Sequence, residues 1–145
     1  MKADDRLVFW GVTLVFLSLL TGLLLVAAPP FVANPRGVLA GHLEAAMNGM
    51  LLVIVGLFIE RVRFSPRQGT LCRSLLLYSA YANWLFTTLA GVLGTREATP
   101  LAGAGYGAGP LAERLILIAL VTVALSALAG VGLLVHGLRP GLRQA

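Results

Sequence analysis

The chain has 145 residues, 58% of them hydrophobic and 12% charged, and a mean hydropathy of +0.89. A soluble domain of this size carries about twice that charged fraction, so a compact soluble protein is excluded and an integral membrane protein is expected. The net charge of +5 lies mostly in short connectors rather than along one long face, which suits membrane orientation and not nucleic-acid binding.

Residues 1–6 form a polar head, and Leu7 to Ala28 is apolar apart from Thr13, Ser18 and Thr21. That run of about 22 residues is long enough to cross a hydrocarbon core of about 30 Å. It is also longer than a signal-peptide core and is preceded by Asp4 and Asp5, so a first helix is expected rather than a cleaved leader. Pro29-Pro30 ends it, because neither proline can donate and both clash with helix continuation. Asn34-Pro35-Arg36 reads as a turn or cap. A second span runs from about Gly37 to Ile59. The segment from Glu60 to Thr70 is polar, with Pro66 and Gly69 as breakers. A third span covers about 71–93, and a Gly/Ala/Pro-rich loop follows to Gly109. Pro110 suits the first turn of a fourth span reaching about His136. The expected fold class is all-α: one domain, an integral membrane bundle of four transmembrane helices.

Four spans place both termini on one side. Lys2, Arg6, Arg61, Arg63, Arg67, Arg73, Arg139 and Arg143 fall there, against Arg36, Arg96 and Arg114 opposite. The positive-inside bias therefore predicts cytoplasmic termini. Small residues recur at four-residue spacing, as in Gly37, Gly41, Ala45 and Gly49, or Ser126 and Gly130, which lets helix backbones approach closely. No repeat of 20–50 residues is visible, and four short spans without one argue against a transporter.

The stretch from Ala40 to Met50 carries the chemistry. His42, Glu44 and Asn48 stand at or inside an apolar span, where polar groups are costly and face a bundle interior or a site. His42 shares a face with Ala45, Ala46 and Gly49. Those small residues would leave a shallow trough in which a flat ligand could lie, and a neutral imidazole is a common metal ligand. One proximal histidine can hold a haem iron with its sixth position open. A histidine hydrogen-bonded to a neighbouring helix is the plainer alternative. Glu44 and Asn48 are i and i+4 and share another face, roughly 120–160° from His42, with Asn48 about 9 Å deeper. Glu44 either orients Asn48 or a partner helix, or pairs with Arg36 or Arg114.

On the third span Ser79, Asn83 and Thr87 form a stripe at i, i+4 and i+8, with Tyr81, Trp84 and Thr88 on an adjacent face. Asn48 and Asn83 both fall near mid-span, so antiparallel helices bring two carboxamides to similar depth. Tyr81 and Trp84 lie too deep for an interfacial belt and suit walls for an aromatic substrate, although ordinary aromatic packing explains them equally. His136 lies near a cytoplasmic helix end. So does Cys72, the only cysteine, which excludes an intrachain disulfide or a multi-cysteine metal site.

The segment Asn34-Pro-Arg-Gly-Val-Leu-Ala-Gly-His-Leu-Glu-Ala-Ala-Met-Asn-Gly49 resembles the signature of hydroxylaminobenzene mutases. So does Tyr78-Ser-Ala-Tyr-Ala-Asn-Trp-Leu-Phe-Thr87, and the loop Thr99-Pro-Leu-Ala-Gly103 with the later Glu113 is also similar. The resemblance covers most of residues 10–135. The His-to-Asn spacing followed by Ala-Asn also resembles styrene oxide isomerases, four-span, haem-b-containing membrane isomerases that assemble as trimers. By that resemblance His42 is the axial ligand of a haem b lying along Ala45, Ala46 and Gly49 with Arg36 nearby, and Asn48 is catalytic. Asn83 then joins Asn48, while Ser79, Tyr81, Trp84 and Thr87 bind substrate.

Ser79 and Thr87 fall where the epoxide isomerases carry an aspartate and a tyrosine. The resemblance thus implies an isomerase that converts arylhydroxylamines to 2-aminophenols in aromatic-compound degradation, with an epoxide-to-aldehyde isomerase as the alternative. It also implies a homotrimer in a bacterial inner membrane, with a small aromatic substrate, lipid around it and no nucleic-acid partner. A non-catalytic haem-binding membrane protein is the alternative from another class. Because His42 and Asn48 diverge, a site shared between neighbouring chains is expected.

Overall fold

The structure, a computed structural model, describes residues 4–27 and 31–142. Four long helices follow one another: α1 (Asp5–Ala27), α2 (Pro35–Phe58), α3 (Pro66–Leu93) and α4 (Pro110–Leu142), with a 3-10 turn Ile59–Arg61 after α2. No strand occurs among the described residues. Each helix is long and apolar enough to cross a membrane. The Ala28-Pro29-Pro30 ending of the first span lies outside the described residues, as do Lys2 and Arg143 of the charge count.

Two boundaries differ from expectation for local reasons. α3 starts at Pro66, not near Leu71, because Ser65 caps it reciprocally with Gln68. The Ser65 hydroxyl accepts from the Gln68 N–H, and Gln68 Oε1 accepts from the Ser65 N–H. Pro66 thus sits at the first helical position, where its missing donor costs nothing, instead of breaking the helix. α4 runs on past His136 to Leu142. The cap expected at Asn34 is present: its side chain accepts from the Arg36 and Gly37 N–H groups.

α1 packs on α2, α2 on α3 and α3 on α4, and α1 touches α3 more lightly. The helices come close where glycines meet. A Cβ on Gly11 of α1 would lie 2.7 Å from the Gly49 carbonyl oxygen of α2, and one on Gly49 would lie 2.7 Å from that of Gly11. At the other end of α2, a Cβ on Gly37 would lie 2.6 Å from Gly91 Cα of α3. The small-residue row of α2 therefore serves two neighbours. Each four-residue step drifts about 40° around the helix, which carries the row from α3 at Gly37 and Gly41 to α1 at Gly49.

Both ends are tied down. At one end the buried Asn34 donates through Nδ2 to the Ala102 carbonyl, 2.9 Å away. Glu113, also buried, accepts from the backbone N–H groups of Arg96, Glu97 and Ala108 at 3.0–3.2 Å. One carboxylate thereby gathers the loop between α3 and α4. At the opposite end Asp4 receives the Arg73 guanidinium, with Glu60 close by.

Candidate active site

α2 presents its polar residues in two directions. His42 faces α1. Its Nδ1 lies 2.7 Å from the Ser18 carbonyl oxygen, which can only accept, so Nδ1 carries a hydrogen. The Ser18 hydroxyl lies 3.1 Å from the same nitrogen and donates to the His42 carbonyl at 2.8 Å. In the neutral ring Nε2 then holds the lone pair, and no hydrogen bond involves it among the described residues. Space for the imidazole comes from Gly22, where a Cβ would lie 3.0 Å from the ring.

The trough expected beside His42 is filled by α1. Ala45 is fully buried and Gly49 packs on Gly11 and Val15, leaving Ala46 half-buried. Arg36 turns to the α3–α4 loop instead, where its guanidinium donates to the Ala104 carbonyl and lies 5.3 Å from the centre of the Tyr106 ring.

The second face of α2 opens on a cleft of about 360 Å³ between α2, α3 and α4. Glu44 and Asn48 line it from α2, Ser79, Asn83 and Thr87 from α3, and Thr99 from the loop above. Leu120, Val123, Ala124 and Ala127 of α4 close it with apolar surface. The two carboxamides thus share one cavity, as the helical stripes predict. The Glu44 carboxyl lies beside the side chains of Asn83 and Thr87, yet its Oε2 is buried without a hydrogen-bond partner. The ion pair weighed for Glu44 with Arg36 or Arg114 does not occur among the described residues.

Tyr81 and Trp84 point elsewhere. Tyr81 donates to the Trp10 carbonyl at 2.7 Å and meets the Trp10 ring edge to face, and Trp84 Nε1 donates to Thr21 Oγ1 at 2.9 Å. They join α3 to α1 rather than lining the cleft. A single chain therefore assembles Asn48, Asn83, Ser79 and Thr87 around one cavity, and keeps His42, Tyr81 and Trp84 on the α1 side. Sequence reasoning passed over Ser18 and Thr21 as interruptions of an apolar run. Ser18 and Gly22, small residues one turn apart opposite His42, were the available signal. Cys72 is buried against the Gly130 carbonyl, which fits packing.

The styrene oxide isomerase family matches residues 3–139 of this chain. The chain belongs to this family. It is 38% identical over 135 residues to hydroxylaminobenzene mutase HabB of Ectopseudomonas oleovorans, covering 92% of this chain and 80% of that protein. It is 36% identical over 114 residues to hydroxylaminobenzene mutase HabA of the same organism, covering 78% of this chain and 82% of HabA. No solved structure matches. Membership of the family and these two relatives make the protein an isomerase enzyme of the mutase kind, and its four apolar helices suit a membrane protein.

Proposed function

We propose that the protein is a membrane-embedded mutase that converts arylhydroxylamines such as hydroxylaminobenzene to 2-aminophenols. The observation that carries this reading is the cleft in which Asn48 and Asn83 meet beside an apolar α4 wall. The reaction is an isomerisation. The N–O bond breaks and a C–O bond forms at the ortho carbon. The ortho proton leaves and the nitrogen gains one, with no external oxidant or reductant. Polar carboxamides at mid-depth can orient the N–OH group and stabilise charge developing as the bond breaks, in surroundings where such dipoles act strongly. The apolar wall takes the ring and keeps water out. The volume falls within the range of small-molecule pockets. Two relatives bearing the mutase name, and the absence of aspartate and tyrosine at positions 79 and 87, favour this reading over epoxide isomerisation.

His42 fits the part of proximal ligand to ferric haem b. Histidines that bind metals commonly give their other N–H to a backbone carbonyl, and the Nδ1–H bond to Ser18 has that form. Among the described residues no three His, Cys, Asp or Glu side chains gather to hold a bare ion, so a metal here would arrive within a prosthetic group. When bound, ferric haem supplies Lewis acidity toward the substrate oxygen. Because His42 and Asn48 diverge within one chain, the complete site is proposed to form between neighbouring chains of a homotrimer. The basic residues favour an inner-membrane orientation with both termini cytoplasmic.

Purified protein in detergent tests the reading. Wild type should show a Soret band that His42→Ala loses, and should turn hydroxylaminobenzene into 2-aminophenol faster than it turns styrene oxide into the aldehyde. Absence of haem after expression with ample haem would overturn the cofactor. Aldehyde as the main product would favour the epoxide reading.

A further inference from the structure

Resting on the proposed arylhydroxylamine mutase reading, we infer that Glu44 is a substrate-binding, specificity-determining residue that accepts a hydrogen bond from the N–H or O–H of the substrate. Glu44 is the only acid lining the cleft between α2, α3 and α4. One carboxyl oxygen, Oε2, is buried and has no partner. Arg36, one of the two arginines weighed as its partner, is engaged with the Ala104 carbonyl and the Tyr106 ring. With no cation paired to it among the described residues, the carboxyl group leaves acceptor capacity at the cleft for a ligand that brings a donor.

The neighbours of Glu44 do not discriminate. Asn48, Asn83, Ser79 and Thr87 each carry both donors and acceptors, so they serve a ligand of either kind. Glu44 adds acceptor capacity, because a carboxyl group keeps acceptor lone pairs in either protonation state. Rotation about its last side-chain bond only exchanges two equivalent oxygens, so a ligand meets whichever one lines the cleft. An arylhydroxylamine offers an N–H and an O–H. An epoxide offers one acceptor oxygen and neither donor. A site built around a polar partner rejects the analogue that lacks it far more strongly than it rejects a change of size. Glu44 would therefore bias the cleft toward hydroxylamines and against epoxides, with the remaining polar groups common to both.

The test reads binding as well as turnover. Wild type, Glu44→Leu and Glu44→Gln are titrated calorimetrically with aniline, which carries N–H donors, and with N,N-dimethylaniline, which carries none. The expected result is tighter aniline binding to wild type by about ten-fold, the scale of one hydrogen bond to an otherwise unsatisfied group. Glu44→Leu should abolish the difference and Glu44→Gln, whose carbonyl still accepts, should restore most of it. In parallel, Glu44→Leu should raise KM for hydroxylaminobenzene more than it lowers kcat. Equal preference for the two amines in wild type, or a preference that survives in Glu44→Leu, overturns the inference. Failure of wild type to form 2-aminophenol overturns the mutase reading instead, and the amine titration still decides the role of Glu44.

Discussion

Ser18 and His42 are joined twice across the α1–α2 interface: Nδ1 of the imidazole donates to the Ser18 carbonyl at 2.7 Å, and the Ser18 hydroxyl donates to the His42 carbonyl at 2.8 Å. The ring is held chiefly by a backbone atom, so its tautomer does not depend on the serine side chain. If His42 holds the proposed haem, Ser18→Ala should therefore keep Nε2 as the free nitrogen and weaken cofactor retention only several-fold, whereas His42→Ala should abolish it. Haem content per protein after gel filtration separates the two. Equal losses would mean that the hydroxyl, not the carbonyl, orients the ring.

The Gly11–Gly49 crossing is a close approach within the α1–α2 interface that also carries His42. With a Cβ at either position only 2.7 Å from a facing carbonyl oxygen, Gly11→Val must push the helices apart. Overpacking of this kind costs about 1–3 kcal/mol. Thermal unfolding in detergent should fall by several degrees, and, if His42 holds haem as proposed, haem retention should fall as well because Ser18 moves relative to His42. Gly132, beside which nothing lies within 4 Å, is the control: Gly132→Ala should lower neither, and helix propensity should raise stability by up to about 1 kcal/mol.

The four spans were legible because an apolar run of membrane length leaves little choice of structure. The divergence of His42 from Asn48 was legible from the helical period alone. What stayed hidden was which neighbour each face meets. Ser79 and Thr87 reach the cleft while Tyr81 and Trp84, two and three positions away, reach α1, and periodicity separates such faces without saying what covers them. The trough at Ala45 and Gly49 was misread for the same reason, since a row of small residues fits a ligand or a helix equally well until the packing is known. The early start of α3 was missed because its first turn is polar and is held by Ser65 and Gln68 rather than by burial.

Asp4 and Arg73 give the fold a pH dependence with a definite sign. Burial alone would raise the Asp4 carboxyl, but hydrogen bonds from Arg73 and the Leu7 N–H, and the charge of Arg73, hold it below the usual carboxylate value of 3.8. A lowered folded pKa means that the unfolded chain takes up the proton first. The contribution is therefore fully present above about pH 4 to 5 and fades as pH falls through the folded value. Asp4→Asn should cost no more than about 1 kcal/mol near neutrality, given that Arg73 is partly exposed. The difference between wild type and variant in thermal unfolding should shrink as pH falls below the usual carboxylate range and through the folded value. A gap that persists there would mean the residue acts through packing.

Asn48 and Asn83 approach the same cavity from different helices, and in the proposed reaction their amides would follow charge on the breaking N–O bond. If both act on one transition state, removing either should cost much of what removing both does. Asn48→Ala and Asn83→Ala should each lower kcat by about a hundred-fold, the scale of one lost preorganised donor. The double variant should fall short of the product of the two, because groups that serve one charge are coupled. If His42 holds haem as proposed, haem content per protein should be unchanged throughout, since neither side chain lies on the His42 face of α2. Fully multiplicative losses would place the two amides in separate steps. A change of spectrum in Asn48→Ala alone would show that the cleft of one chain adjoins the cofactor of its neighbour.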